Sequence, residues 1–201
     1  MENIFEMFKN YLGGKREGTI TNHEAGMLTA LTWSLKSKDP NTEVGACIIH
    51  KDGRVLSAGY NGTPNEWDDD TFPWDNKVSE IGEQNTKYPY VIHAEMNAIC
   101  NYKGSSKDFE GATIYVTLFP CSNCAKLIIQ SGIKRVVYLV DDRLNSTNKD
   151  VRRENLTTKL MLARCNVEVI DFNELYPYNK LEISVTPKEE KKKTLELTNE
   201  K

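Results

Sequence analysis

Residues 113–140 read TIYVTLFPCSNCAKLIIQSGIKRVVYLV. Thr113–Leu118 and Arg135–Val140 are rich in β-branched and aromatic residues, which predicts two strands, and the residues between them predict a helix over Cys121–Ser131. The second strand is apolar along most of its length, which is typical of a strand buried on both faces of a parallel arrangement. A strand-helix-strand unit of this kind predicts an α/β sandwich with right-handed crossovers.

The flanking sequence extends this pattern in both directions. Downstream we predict a helix over Val151–Arg164 and a strand over Val167–Ile170. Upstream we predict a helix over Asn22–Lys36 with Asn22 as its N-cap. Two strands follow, Val44–His50 and Arg54–Tyr60, joined by a hairpin turn at Lys51-Asp52-Gly53, and then a second helix over His93–Tyr102. Asn61–Tyr90 has no clear period, and long irregular segments inside compact domains are usually functional or flexible.

The 201 residues are predicted to form one domain with two extensions. Residues 1–20 are predicted to be an N-terminal helical arm, residues 21–175 the folded domain, and residues 176–201 a C-terminal extension. From residue 186 onward, nine of sixteen residues are Lys or Glu. Such a segment buries too little apolar surface to offset its ordering entropy, which predicts disorder. A charged segment that is ordered only within an oligomer is the alternative.

Composition and charge exclude several classes of protein. The formal net charge of -3 argues against a nucleic-acid partner, which needs a basic excess. The longest apolar run, Val44–Ile49, is far shorter than the ~20 residues that span a bilayer, so we expect no membrane partner. The five cysteines form no dense, even framework and no signal peptide is evident, which favours a cytoplasmic location.

Three residues have the side chains and spacing of zinc ligands: His93, Cys121 and Cys124. A structural zinc site closes its coordination with four protein ligands, yet His23 and His50 are each isolated in the sequence. Three ligands leave the fourth position to water, as a catalytic zinc site requires. We therefore predict one catalytic Zn²⁺ per subunit. A structural zinc site and a redox pair of cysteines are the alternatives.

Glu95 is the predicted catalytic residue. It follows His93 by two positions, in the first turn of the predicted helix, where a glutamate would ordinarily only favour the helix dipole. Beside an activated water it can also take up a proton and deliver it to the substrate. The ordered pair of motifs, His-x-Glu and then Pro-Cys-x-x-Cys, is the known signature of zinc nucleobase deaminases.

The chain resembles the deoxycytidylate (dCMP) deaminases of the zinc-dependent cytidine deaminase superfamily. The resemblance covers roughly residues 24–172 and rests on four runs in order: SKDPNTEVGA at 37–46, GYNG at 59–62, YPYVIHAEMNAI at 88–99 and LFPCSNCAKLIIQ at 118–130. It implies a three-layer α/β/α sandwich around a mixed five-stranded sheet, a homo-hexamer, and hydrolysis of dCMP to dUMP and ammonia, which supplies thymidylate synthesis. It also implies activation by dCTP, with Mg²⁺ accompanying the triphosphate, and inhibition by dTTP.

The resemblance implies substrate contacts as well. Asn61 matches the asparagine that contacts the sugar hydroxyl, the backbone N–H of Ala94 matches the one that contacts the base carbonyl, and Thr42 lies near the base. The sequence itself adds three candidates at the substrate mouth: Ser37, Lys38 and Tyr88. For the lysine a solvated helix end is the alternative, and for the tyrosine a packing role.

One segment departs from the family pattern. Glu66-Trp67 stands where regulated members have Gly-Cys, and Asp75 stands where they have Arg. This neighbourhood is the predicted effector site, with Gly62, Thr63 and Asn65 as its candidate residues. Because an anion replaces a cation there, we expect weak binding of a triphosphate effector.

The rival functions differ in substrate or in class. The nearest is deamination of another cytosine nucleotide, such as dCTP or CMP. A non-catalytic, zinc-stabilised module that binds pyrimidine nucleotides is the other. Glu95 argues against that module, because a merely structural site does not need it.

Overall fold

The computed structural model describes residues 15–176 and the backbone of residues 183–185 and 193–195. Most of the predicted N-terminal arm, residues 1–14, therefore lies outside the described residues. Residues 15–20 are irregular and exposed. The folded domain begins with a helix at residue 22, close to the predicted boundary at residue 21.

A mixed five-stranded sheet forms the centre of the domain. Its strands, in the order β2-β1-β3-β4-β5, are numbered along the chain as β1 (Gly45–Ile49), β2 (Val55–Tyr60), β3 (Thr113–Leu118), β4 (Arg135–Val140) and β5 (Glu168–Asp171). The first strand pairs antiparallel with β2 and β3, whereas β3, β4 and β5 pair in parallel. The predicted bounds of β3 and β4 are confirmed. The bounds of β1 and β5 each shift by one residue at both ends, and β2 begins one residue later than predicted.

Among the described residues, the α-helices are α1 (Asn22–Ser34), α2 (Ala94–Asn101), α3 (Ser122–Gln130), α4 (Lys149–Arg164) and the short α5 (Phe172–Leu175). The prediction of Asn22 as N-cap of α1 is wrong by one residue. Thr21 is the N-cap: its hydroxyl accepts the Glu24 N–H at 3.2 Å, and the Glu24 carboxylate accepts the Thr21 N–H at 2.6 Å. This reciprocal pair of hydrogen bonds satisfies the backbone N–H groups of Thr21 and Glu24, a role that the Asn22 side chain does not perform. Among the described residues, no helix combines the length and apolar character required to cross a membrane.

The helices cover both faces of the sheet, which confirms the three-layer sandwich. Ala46 and Ile48 of β1 point into a core shared with α2, α3 and α4, while Cys47 and Ile49 point into a second core shared with α1. Helix α2 lies close against β2 at Gly59, where a Cβ atom would be 2.4 Å from the Ala98 nitrogen. Glycine thus allows the close approach that fixes the height of α2 above the sheet.

The C-terminal extension contains two short antiparallel strands, β6 (Ile183–Val185) and β7 (Lys193–Leu195). For residues 193–195 the structure differs from the predicted disorder. Backbone hydrogen bonds between strands do not require buried side chains, so a Lys-rich segment can pair in this way. The rest of residues 186–201 lies outside the described part of the chain.

Candidate active site and metal centre

The three predicted metal ligands meet at the start of two helices. His93 and Cys121 are the N-cap residues of α2 and α3, and Cys124 lies in the first turn of α3. The His93 Nδ1 atom is 3.5 Å from the Cys121 Sγ and 3.4 Å from the Cys124 Sγ. Both helices begin immediately after a ligand, as predicted, so their positive ends face this cluster.

These three side chains fit a tetrahedral zinc ion. With Zn–S bonds of about 2.3 Å and Zn–N bonds of about 2.0 Å, tetrahedral angles place the nitrogen and sulfur about 3.5 Å apart, which matches the two observed separations. Their ligating atoms all lie within 4.8 Å of one another, and the described residues contain no other such group of His, Cys, Asp and Glu. The donor set of one imidazole and two thiols is one that zinc prefers.

The cluster also favours ionised sulfur. A hydrogen bond from the Cys124 thiol, helped by His93, lowers the pKa of Cys121 to about 3, while the same hydrogen bond raises the pKa of Cys124. The cluster thus favours the thiolate form of Cys121. Because metals bind thiolates, the second thiol would lose its proton when a metal binds.

Glu95 is buried beside this cluster, with 4% of its surface exposed. It occupies the first turn of α2, two positions after His93, as predicted. Burial raises the pKa of the Glu95 carboxyl, and the charge of nearby His93 opposes this shift. A carboxyl group in such surroundings can hold a proton as well as release one, which is what proton transfer requires.

His93 and Glu95 form part of the wall of a cavity of about 520 Å³. This volume lies within the range of about 300–1,000 Å³ that is typical of small-molecule sites. Six of the predicted site residues line it: Thr42, Asn61, Tyr88, His93, Ala94 and Glu95. The cavity opens at the carboxyl ends of β3 and β4, where ligands of α/β proteins usually bind.

Two of the predicted substrate residues do not line the cavity. Lys38 is exposed, which agrees with the alternative of a solvated position after the helix. Ser37 is buried behind the wall, where its hydroxyl donates to the backbone carbonyl of Asn61 at 2.9 Å. It supports a lining residue and does not reach the ligand.

The predicted effector residues also lie away from the cavity. Gly62 pairs with Ile92 through two backbone hydrogen bonds of 3.1 and 2.9 Å, and the Thr63 hydroxyl donates to Asp69 at 3.1 Å. Asn65 is exposed. Glu66 has a φ of 71°, a left-handed conformation that glycine adopts at little cost, so this backbone suits the Gly of the family pattern better than Glu.

An aromatic cluster fixes the irregular segment to the motif that contains His93. Trp67 packs on Tyr90 and on Phe72, with ring centroids 5.1 Å apart in both pairs, and Phe72 packs on Trp74 at 4.5 Å. The Trp74 indole N–H donates to the Asp69 carbonyl at 2.9 Å. These contacts favour an anchoring role for the tryptophans over base stacking.

Several lining residues were not predicted from the sequence. Asp39 and Lys87 form a buried ion pair of 2.5 Å at one side of the cavity. Arg143, Ser146 and Thr147 lie in the loop between β4 and α4. The loop could have been predicted as a ligand-binding segment because it follows a parallel strand. Lys87 could have been predicted because it directly precedes the run at 88–99 that contains His93.

Comparison with known proteins agrees with this geometry. Residues 20–140 match the model of the cytidine and deoxycytidylate deaminase zinc-binding region. The deoxycytidylate deaminase of Homo sapiens is 41% identical over 166 residues, covering 80% of this chain and 91% of the human protein, and that of Mus musculus is 40% identical over the same coverage. The dCMP deaminase of cyanophage S-TIM5, solved in complex with dCMP and dUMP, is 29% identical and superimposes with a TM-score of 0.55 over 74% of this chain and 95% of that one. The chain therefore belongs to the cytidine and deoxycytidylate deaminase family.

Proposed function

We propose that this protein hydrolyses dCMP to dUMP and ammonia, using a zinc ion held by His93, Cys121 and Cys124. The observation that carries the proposal is the buried Glu95 carboxyl beside the three-ligand cluster, with Glu95 and His93 lining one small-molecule cavity. A structural zinc site needs neither the glutamate nor the cavity. The human relative is a deoxycytidylate deaminase, and the S-TIM5 enzyme binds the proposed substrate and product.

Glu95 is proposed to carry the proton through the reaction. When bound, the zinc ion supplies Lewis-acid activation of the attacking water. The Glu95 carboxylate takes a proton from that water and delivers it to N3 of the cytosine ring, which makes C4 electrophilic. The water oxygen then adds to C4, Glu95 moves the second proton of that water to the amino group, and the C4–N bond breaks, so that water and dCMP yield dUMP and ammonia. Ala94 lines the cavity, and its backbone N–H is proposed to donate to the base carbonyl.

We propose Arg143 as the main cation for the substrate phosphate. Arg143 lines the cavity, and its guanidinium is 3.9 Å from the carboxylate of its ion-pair partner Glu154, which is too far for a tight hydrogen bond. Ser146 and Thr147, which carry hydroxyl groups, also line the cavity. The backbone carbonyl of Ser146 accepts a hydrogen bond from Arg152, which holds this loop against α4. Arginine and hydroxyl groups together are common partners of phosphate oxygens.

A panel of cytosine compounds tests the function. Ammonia release from dCMP, CMP, dCTP, cytidine and deoxycytidine is measured with the zinc-loaded protein. We expect the highest kcat/KM with dCMP and the lowest with the two nucleosides, because they lack the phosphate. A preference for dCTP or CMP would instead support another nucleotide deaminase, and absence of ammonia from all five would support the binding module.

Three further properties stay proposals from the family resemblance. A homo-hexamer is the proposed assembly, and sedimentation of the full chain tests it. Weak regulation by dCTP and dTTP, with Mg²⁺ on the triphosphate, is proposed because Glu66, Trp67 and Asp75 differ from the regulated pattern. The cytoplasmic location rests on the cysteine content alone.

A further inference from the structure

The Asp39 carboxylate has no hydrogen-bonding position left for a ligand. Its Oδ1 accepts the backbone N–H groups of Asn41 at 2.9 Å and Thr42 at 3.1 Å. Its Oδ2 accepts the Lys87 ammonium at 2.5 Å and the Asn61 side-chain amide at 3.2 Å. An ionised carboxylate offers about four acceptor positions, so Asp39 holds its four partners in place and does not itself bind substrate.

The Asn61 side chain is fixed in one orientation by its neighbours. Its Oδ1 accepts the Val44 N–H at 2.8 Å, and its Nδ2 donates to Asp39 and to the Thr42 carbonyl at 2.9 Å. The reversed amide would place its oxygen against two acceptors, so the orientation is determined. A carbonyl oxygen accepts two hydrogen bonds, which leaves one acceptor position free on Asn61 Oδ1.

Lys87 has the complementary unused capacity. Its ammonium carries three N–H donors, of which one is bound by Asp39, and the described part of the chain offers it no second hydrogen-bond acceptor. The residue is 5% exposed and lines the cavity. Lys87 and Asn61 both bind Asp39 Oδ2, so an unfilled donor and an unfilled acceptor lie beside each other in the cavity wall.

We propose that Lys87 binds the 3′-hydroxyl of the nucleotide together with Asn61. The hydroxyl donates its hydrogen to Asn61 Oδ1 and accepts an N–H from Lys87 Nζ, so both unused positions are filled by one group. In dCMP the 3′-hydroxyl is the only free hydroxyl on the sugar, since the 5′ oxygen carries the phosphate. This inference rests on the proposed function, to which it adds Lys87 as a second residue, beside Asn61, that recognises the sugar.

The wild-type enzyme gives the first test. Its kcat/KM is measured with dCMP and with 2′,3′-dideoxycytidine 5′-monophosphate, which lacks only the 3′-hydroxyl. We expect the dideoxy compound to be at least about tenfold poorer, because it leaves a buried donor and acceptor unfilled. Equal values would overturn the role of the hydroxyl while dCMP turnover still supported the proposed function. Absence of dCMP turnover would remove both.

Substitution of Lys87 tests the residue itself. In Lys87→Met, kcat/KM for dCMP should fall at least about tenfold while that for the dideoxy compound changes little, so that discrimination between the two nearly disappears. Lys134→Met is the matched control, because Lys134 is exposed at the opposite end of the sheet, next to the start of β4. It should keep the wild-type ratio. Unchanged discrimination in Lys87→Met would show that Lys87 is not the donor.

A double variant separates this role from a structural one. Lys87→Met alone leaves the Asp39 charge buried without a partner, which can unfold the protein. Asp39→Asn combined with Lys87→Met removes both charges with little change in volume. We expect this variant to regain the melting temperature without regaining discrimination. If discrimination returned with stability, the pair would be structural only. If neither variant folded, the wild-type comparison would still decide whether the enzyme recognises the 3′-hydroxyl.

Discussion

The Glu154 carboxylate accepts a hydrogen bond from the backbone N–H of Ser122 at 2.6 Å. Helix α4 thus caps the first turn of α3, the helix that begins beside Cys121 and contains Cys124. Neither His93 nor Cys121, the N-cap residues of the two ligand-bearing helices, caps its own helix with a side-chain hydrogen bond. A residue 33 positions after Cys121 therefore satisfies the donor that the N-cap leaves free.

Glu154→Ala should lower stability. A partly exposed, charge-assisted hydrogen bond to a helix N-terminus is worth about 1 kcal/mol, which corresponds to about 2–4 °C in melting temperature for a chain of this size. Thermal unfolding followed by circular dichroism measures it. Arg153→Ala is the control, since Arg153 is its exposed neighbour on α4 and should change the melting temperature by less than about 1 °C. Equal shifts in melting temperature for the two variants would show that the hydrogen bond from Ser122 to Glu154 does not stabilise the protein.

Glu95→Gln should keep zinc and lose turnover. The amide has nearly the same shape as the carboxyl but cannot carry the proton, so kcat should fall at least ~10²–10⁴-fold. Zinc content, measured by atomic absorption, should equal that of the wild-type protein. Normal turnover in a zinc-replete variant would refute the proton-transfer role.

Cys124→Ala should reduce both zinc content and activity to near background. Removing one of three protein ligands leaves too few to hold the metal. Treatment of the wild-type protein with a chelator should have the same effect, reversed by added Zn²⁺. Cys100→Ala is the matched control, because this cysteine is exposed and is not one of the three grouped ligands. Retention of one zinc ion by Cys124→Ala would contradict the assignment.

Arg143→Ala should weaken recognition of the phosphate selectively. Loss of a charge-assisted contact should raise KM for dCMP about 10–100-fold and leave deoxycytidine, which has no phosphate, almost unaffected. The ratio of the two kcat/KM values is the measurement. Arg164→Ala, at the exposed end of α4, should leave the ratio unchanged. A parallel fall for both substrates would point to a general distortion of the loop.

Titration with dCTP should change the rate little. The segment around Glu66 and Asp75 is more negative than the family pattern, which disfavours a triphosphate. Plots of rate against dCMP concentration should therefore keep nearly the same shape with and without dCTP and Mg²⁺. Strong sigmoidal activation would show that the departures at these positions do not prevent effector binding.

The sequence predicted the central architecture because its signals are local. The apolar run at Val136–Val140 and the hairpin turn ending at Gly53 specify their elements within a few residues, and the structure confirms both. The two ligand motifs were predictable for the same reason. Each consists of neighbouring residues at the start of a helix, and the helices bring the motifs together.

The parts that could not be predicted depend on contacts between distant segments. The pair of Asp39 and Lys87 is separated by 48 positions, and the cap of Ser122 by Glu154 spans 32. No periodicity reports such a pairing. Lys38 was predicted to lie at the substrate mouth, yet it is exposed to solvent and does not line the cavity.

Gly59 limits which substitutions evolution can accept in this fold. Its α-carbon lies so close to the Ala94 carbonyl and the Ala98 nitrogen that any side chain, even a methyl group, would have to push α2 outward. That helix contains Glu95 and begins at His93, so the displacement would reach both the proton carrier and the imidazole. Any substitution of Gly59 is therefore disfavoured sterically, although Gly59 does not line the cavity.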